Sequence, residues 1–129
     1  MSLEISRYFS EQLKDCNEAI YFDLGISSKL TERLEEVIKR NTIVDIAAKV
    51  EVYQKQLDVI ERKLYNLEAI VKRQEKLINE NLETNKNADV NNDIKLRQQL
   101  IVRKMKKTES DFIRIKFACN AFLYEVFNT

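Results

Sequence analysis

Apolar residues recur at alternating spacings of three and four in two long stretches of the chain, 46–78 and 94–126. This spacing places the side chains on one stripe of a helix and is typical of coiled-coil packing. The first stripe comprises Ile46, Val50, Tyr53, Leu57, Ile60, Leu64, Leu67, Val71, Gln74 and Ile78. The second comprises Ile94, Gln98, Ile101, Met105, Thr108, Phe112, Ile115, Cys119, Phe122 and Val126. The pattern predicts two long helices, over 42–83 and 93–128.

The two stripes mirror each other about Lys86, so each position of the first matches one position of the second. Such mirror symmetry suits two helices that run back along each other as an antiparallel hairpin. Gln74, the only polar residue of the first stripe, falls opposite Gln98. A buried amide pair of this kind can fix the register of two helices. A partly wet layer close to the turn is the alternative interpretation.

The segment between the two predicted helices, residues 84–92, reads TNKNADVNN and lacks apolar periodicity. Asparagine-rich segments without a stripe are typical of connections, so we predict a turn there. Near Thr42 the apolar phase slips, and Thr42 followed by Asp45 resembles a helix N-cap, which predicts a helix break. A continuous helix with a stutter is the alternative at this point.

Residues 1–41 predict two shorter helices that precede the hairpin. Gly25 is expected to end the first of them, because glycine enters the left-handed conformation without steric cost. Ser27 or Ser28 is then expected to cap the second.

The predicted fold is therefore an all-α helical bundle in a single domain over 1–129. It consists of a long antiparallel coiled-coil hairpin, with the two shorter helices packing on its base. Near its C-terminal end the second long helix is apolar on several faces, and such a helix must be covered by several neighbours. We therefore expect Phe112, Phe117 and Phe122 to be buried at the base. The rest of the hairpin is expected to project as a two-helix arm toward the turn.

Composition narrows the class of protein. The chain has 129 residues, no proline and one glycine, and its 33% charged and 44% apolar residues suit amphipathic helices. No apolar stretch approaches the roughly 18 residues that a membrane span needs, and the start does not resemble a signal peptide. We expect an intracellular protein, cytoplasmic or nuclear, neither secreted nor transmembrane. Cys16 and Cys119 are expected to be reduced core residues, with a structural disulfide as the alternative.

We expect no enzymatic activity, no cofactor and no bound metal. Histidine, the commonest general base and nitrogen ligand of metals, is absent from the sequence. One glycine cannot build a glycine-rich phosphate loop. No acidic residue falls on either long stripe, where a metal site inside a bundle would need it.

Charge is divided unevenly along the chain. Residues 1–62 carry nine basic and twelve acidic residues, whereas residues 63–129 carry thirteen and nine. Six cations follow one another without a carboxylate over residues 95–107: Lys95, Arg97, Arg103, Lys104, Lys106 and Lys107. We expect this basic segment to be electropositive. Its two interpretations are a solvated helix face and a binding surface for an acidic protein, nucleic acid or an anionic membrane.

Four apolar residues near the predicted turn lie outside both stripes: Ile70, Leu77, Leu96 and Leu100. Unmatched apolar positions of this kind mark partner docking. The leading hypothesis is a non-enzymatic coiled-coil scaffold subunit of a larger multiprotein complex, with other helical subunits as partners and no small-molecule substrate. A hetero-oligomer is favoured over a homodimer. In general architecture, without any shared motif, the chain resembles small helical subunits of eukaryotic tethering, kinetochore and lysosome-related-organelle biogenesis complexes. The hypothesis is accordingly an assembly of the tethering, trafficking-adaptor or kinetochore kind.

The alternative hypothesis is a binder of nucleic acid or of an anionic surface that uses the basic segment. No aromatic residue lies between Asn66 and Asp111 in the sequence, so base stacking from this segment is not expected. Phosphate contacts alone would then supply the affinity, and binding would weaken steeply with salt.

Overall fold

The computed structural model describes residues 3–84 and 88–128, with side chains described over 3–82 and 92–128. It is an all-α helical bundle of three helices: α1 (Leu3–Arg40), α2 (Val44–Thr84) and α3 (Ala88–Phe127). No strand occurs among the described residues. The packing divides into two compact units, each built from one segment of every helix. The first unit takes Met1–Tyr21 and Tyr65–Lys107, and the second takes Phe22–Leu64 and Thr108–Thr129.

The two short helices predicted over 1–41 are wrong, because α1 is one helix of 38 residues. Gly25 lies within it, exposed, and does not end it. The helix continues because its buried positions keep the three-and-four spacing through Ile20, Asp23, Ser27 and Leu30. Two of these positions are polar, so a pattern of apolar residues alone does not show that the helix is continuous.

The break predicted near Thr42 is present, since residues 41–43 are not helical. The first backbone bond of α2 runs from the amide of Ala47 to the carbonyl of Ile43, at 3.1 Å. Ile43 therefore occupies the N-cap position, one residue later than predicted, and Asp45 lies in the first turn of the helix. A carboxylate there is favourable, because the first turn presents unpaired amide groups.

Both predicted long stripes lie in the interior, since every one of their positions is buried or half-buried. The bounds predicted for the turn, 84–92, are wrong at both ends. Thr84 still belongs to α2, and α3 begins at Ala88 instead of 93. Residues 85–87 lie outside the described residues. Whether the chain forms a single domain stays a prediction.

The first unit has a core cluster of Leu13 from α1, Val71 and Ile78 from α2, and Ile94 and Ile101 from α3. Each of these five is at most 2% exposed. The two-helix arm is therefore wrong, because α1 packs on α2 and α3 over this part of the chain. The reason is length: an unbroken helix of 38 residues spans roughly 57 Å, far more than the two short helices would have covered.

In the second unit, Lys63 of α2 approaches Asp111 of α3 at 3.7 Å, and the rings of Tyr53 and Phe122 lie 5.2 Å apart. Residue numbers rise on one helix as they fall on the other, so these two segments run antiparallel. Phe112 and Phe122 are buried as predicted, but the burial predicted for Phe117 is wrong, since it is 68% exposed. Only α1 and α2 are available to cover α3, and they leave Ile113, Phe117 and Tyr124 on its outer side exposed.

Candidate functional site

Three of the six predicted basic residues line one groove between α1 and α3 in the first unit. The groove has a volume of about 430 Å³. We call it the basic groove, and it is lined by Tyr8, Phe9, Gln12, Lys95, Gln98, Gln99, Val102, Arg103 and Lys106. Its lining contains three cations and no carboxylate. The groove thus combines an apolar wall, amide groups and positive charge.

The other three basic residues lie outside this lining. Arg97 lies in an ion pair with Asp93 at 2.8 Å, and it borders a smaller pocket between α2 and α3. Lys104 and Lys107 are exposed on α3. Lys95, Arg103 and Lys106 make no ion pair within 4 Å among residues 3–82 and 92–128. The structure therefore resolves the predicted basic segment into a groove-lining set and an outer set.

A chain of side-chain amides crosses the first unit and ends at the basic groove. The Nε2 group of Gln74 donates to Oε1 of Gln98 at 3.1 Å, and Nε2 of Gln98 donates to Oε1 of Gln12 at 3.0 Å. Nε2 of Gln12 then donates to the hydroxyl oxygen of Tyr8 at 3.1 Å. Every amide in this series donates to the next residue toward Tyr8. The Tyr8 hydroxyl oxygen therefore accepts a hydrogen bond, and its own proton can be donated to an acceptor outside the protein.

The two predicted register residues, Gln74 and Gln98, are each 2% exposed and hydrogen bonded to each other. Gln74 also donates to the carbonyl of Ile94 at 2.9 Å, and Gln98 donates to the carbonyl of Phe9 at 3.1 Å. Oε1 of Gln74 has no partner among the described residues. The pair therefore ties all three helices of the first unit together. Its role in choosing the register stays a prediction.

The four predicted partner-binding residues fall into two groups. Ile70 and Leu77 border a small pocket of about 110 Å³ on the first unit, together with Arg97. Leu77 is only partly exposed and packs against the core cluster, so it belongs in part to the protein's own interior. Leu96 and Leu100 are 61% and 53% exposed. They are four residues apart on α3 and therefore share one outer face of that helix.

The second unit carries a comparable groove between α2 and α3, with a volume of about 580 Å³. We call it the paired groove, and it is lined by Lys55, Gln56, Val59, Ile60, Lys63, Asp111, Arg114, Ile115 and Ala118. Asp111 forms ion pairs with both Lys63 and Arg114, and Lys55 pairs with Glu51 at 3.1 Å. Every cation of this groove therefore has a carboxylate beside it.

One buried carboxyl group lies in the second unit. Asp23 of α1 is 8% exposed, and the carboxyl group of Glu109 of α3 lies close enough to affect its titration. Burial, and then the negative charge of Glu109, raise the pKa of Asp23 to about 6, while Lys116 opposes the shift. Ser27 donates to the carboxylate of Glu61 at 2.8 Å in the same unit.

Cys16 is half-buried and Cys119 buried, and the two do not form a disulfide. Burial raises the pKa of the Cys119 thiol to about 11. Thiolate is the reactive form, so Cys119 is a poor nucleophile in this environment.

Tyr8 is the groove residue that the sequence argument missed. It lies about ninety positions from the basic segment, which itself contains no aromatic residue. The absence of base stacking from the segment stays a prediction, but α1 brings Tyr8 and Phe9 to the groove. The available signal was the three-and-four spacing of α1, which predicts packing along the whole of that helix once polar positions are counted.

Within the described part of the chain, no group of three or more histidine, cysteine, aspartate or glutamate side chains could hold a metal ion. Among the same residues, no helix combines the length and apolar character that crossing a membrane requires. Comparison with protein-family models, with curated proteins and with solved structures finds no match for the chain.

Proposed function

We propose that the protein is a non-enzymatic scaffold subunit of a larger assembly of helical proteins, in which it binds partners through exposed apolar side chains of α3. The observation that carries the proposal is the exposure of Leu96 and Leu100, which lie one helical turn apart on the first unit. A leucine pair in this arrangement suits the helix-in-groove mode of recognition. The partners would be other helical chains, in a hetero-oligomer of the tethering, trafficking-adaptor or kinetochore kind.

We also propose that α2 and α3 form an antiparallel coiled-coil hairpin. Support comes from the bond between Gln74 and Gln98, which lie at mirrored positions of the two stripes. Burial of the apolar members of both stripes supports the same arrangement. An intracellular setting, cytoplasmic or nuclear, is part of the proposal. Support comes from two cysteines that are not joined in a disulfide, since reducing compartments disfavour disulfides.

The test compares partner co-purification for the wild-type chain and for Leu96→Asp with Leu100→Asp. Burying one leucine in a partner groove is worth roughly 1.5–3 kcal/mol, so the double variant is expected to lose its partners at physiological salt. Leu77 is unsuitable for this test, because aspartate there would also disturb the core. Helicity and the melting temperature should change little, since both leucines face solvent.

Val52→Asp with Val59→Asp provides the matched control. These valines are 53% and 48% exposed on the second unit, close to the values for the two leucines. The control is expected to keep all partners. If both double variants retain the partners, recognition does not use the Leu96 and Leu100 face and the proposal fails. If the leucine variant unfolds, that face belongs to the protein's own core.

A further inference from the structure

We propose that the basic groove of the first unit docks an acidic amphipathic helix of a partner protein. The inference rests on the proposed function as a helical scaffold, and it names a second surface and the chemistry that this surface accepts. The site lies between α1 and α3, and its lining does not include Leu96 or Leu100.

Charge is the first argument for an acidic partner. Lys95, Arg103 and Lys106 line the groove, and among the described residues none of them has a carboxylate within 4 Å. A carboxylate on an incoming helix would meet three cations that have no ion pair with any residue of 3–82 or 92–128. Charge-assisted hydrogen bonds of this kind are shorter and stronger than neutral ones.

The hydroxyl of Tyr8 is the second argument. Tyr8 is 59% exposed, and its oxygen accepts a hydrogen bond from Gln12 at 3.1 Å. Its own proton is therefore available to an acceptor in the groove. The hydrogen bonds from Gln74 through Gln98 and Gln12 all point toward Tyr8. Each bond therefore polarises the next, which makes the Tyr8 hydroxyl a better donor. A glutamate or aspartate oxygen is the acceptor that fits.

The shape and lining of the groove favour a helix over a nucleic acid strand. The apolar wall is formed by Phe9, Val102 and the ring of Tyr8, with the aliphatic stems of the basic residues beside it. A partner helix can place leucine side chains against this wall and carboxylates against the cations. Single-stranded nucleic acid would need several stacking rings along the strand. Tyr8 is the one exposed ring among the lining residues.

The probe is a synthetic helical peptide of about three heptads, with leucine at the a and d positions and glutamate beside them. Its comparison peptides are a scrambled sequence of the same composition and a version with lysine in place of glutamate. Binding to the full chain is measured by fluorescence anisotropy. The ordered acidic peptide is expected to bind at least ~10-fold more tightly than either comparison peptide, which corresponds to about 1.4 kcal/mol.

Two neighbouring residues of α3 supply matched variants with the same change in charge. Arg103→Glu is expected to weaken binding of the acidic peptide by ~10-fold or more, because Arg103 lines the groove. Lys104→Glu should weaken it by less than ~2-fold, because Lys104 lies outside the lining. Tyr8→Phe keeps the ring and removes the hydroxyl, and it is expected to weaken binding roughly 3- to 10-fold. Melting curves of the three variants should match that of the wild type.

Three results would overturn the inference. The acidic peptide could fail to bind at millimolar concentration. Arg103→Glu and Lys104→Glu could weaken binding equally, which would indicate a diffuse field in place of a groove. A single-stranded oligothymidylate could bind more tightly than the peptide with the same dependence on Tyr8 and Arg103, which would make the groove a nucleic-acid site.

The peptide experiment is separate from the co-purification experiment, so the two proposals can fail separately. Loss of partners in the Leu96 and Leu100 variant without peptide binding would reject the groove alone. Peptide binding with normal co-purification of that variant would reject the α3 leucine face and leave the groove in place.

Discussion

The two units of this protein bury different kinds of polar group. Among the described residues of the first unit the buried polar side chains are Ser6, Gln74, Asn81 and Gln98, none of which is charged at neutral pH. In the second unit they include Asp23, whose neighbour Glu109 carries another carboxyl group. The difference extends to the surface. Asp111 and Glu51 between them pair with all three cations of the paired groove, whereas the lining of the basic groove contains no carboxylate. The position of the acidic residues, more than the number of basic ones, decides which groove can attract an anion.

The largest expected effect tests whether α1 contributes equally to the apolar cores of the two units. Leu13 and Leu34 both lie on α1, both are fully buried, and one belongs to each unit. Leu13→Ala and Leu34→Ala should each reduce the free energy of unfolding by about 2–5 kcal/mol, as measured by urea denaturation. Phe117→Ala is the exposed control and should cost less than about 1 kcal/mol. If Leu13→Ala reduced the free energy of unfolding by less than about 1 kcal/mol, the predicted two-helix arm, which α1 does not cover, would be supported instead.

The next effect concerns the neutral amide network of the first unit. Gln98→Leu removes three hydrogen bonds, those to the carbonyl of Phe9, to Oε1 of Gln12 and from Nε2 of Gln74, so it should reduce the free energy of unfolding by about 2–3 kcal/mol. Gln74→Leu should reduce the free energy of unfolding less in the Gln98→Leu background than in the wild type. The difference, measured in a double-mutant cycle, should be about 1–2 kcal/mol. The loss should be the same at pH 5 and pH 8. Additive losses would mean that the two amides do not act as a pair.

The second unit is expected to respond to pH where the first does not. The pKa of Asp23 is about 6 in the folded chain and 3.8 in an unconstrained carboxyl, so the folded state binds the proton more tightly. Stability contributed by this group is therefore gained as pH falls from above 6 to below 4. Asp23→Asn should stabilise the protein by about 1–2 kcal/mol at pH 8 and by nearly nothing at pH 4.

Chemical denaturation at both pH values measures the effect of this substitution. Asp58→Asn, an exposed change in the same unit, is the control and should leave the pH dependence unaltered. An Asp23→Asn variant with the pH profile of the wild type would show that the buried carboxyl does not titrate as the structure indicates.

The smallest effect is expected at Gly25, on the solvent side of α1 in the second unit. A Cβ atom added there would meet no heavy atom within 4 Å. Gly25→Ala should therefore raise the free energy of unfolding by about 0.5–1 kcal/mol, because alanine loses less backbone entropy in a helix. The reverse change, Ala121→Gly on the exposed side of α3, should lower it by a similar amount. Destabilisation by Gly25→Ala would mean that the helix needs glycine there after all.

The sequence predicted α2 and α3 well, because their buried positions are nearly all apolar and keep one spacing over ten positions each. It failed for α1, whose spacing also runs unbroken but passes through Ser6, Asp23 and Ser27. A glycine and two serines in succession then looked like the end of one helix and the start of another. Tertiary packing overrides such local signals when the flanking turns are buried on the same side.

The basic groove could be predicted only in part. Its cations follow from the run at 95–107, but the choice of Lys95, Arg103 and Lys106 depends on which side of α3 faces α1. Tyr8 could not be assigned without knowing that α1 is continuous, since no local pattern links it to the basic segment. The exposure of Phe117 follows from the number of covering helices, which the pattern of α3 alone does not give.

The division of each helix between two units also sets the order in which packing contacts can form during synthesis of the chain. Phe22–Leu64 contains the second part of α1, the 41–43 connection and the first part of α2 in one continuous segment, so these two parts can pair early. The start of α1 has to wait, because Gln12 bonds to a residue 86 positions later. At about 5–20 residues per second, the ribosome needs roughly 4–17 s to deliver that partner. During this interval the apolar face around Leu13 has no cover from α3, and a nascent-chain binding factor would find it there first.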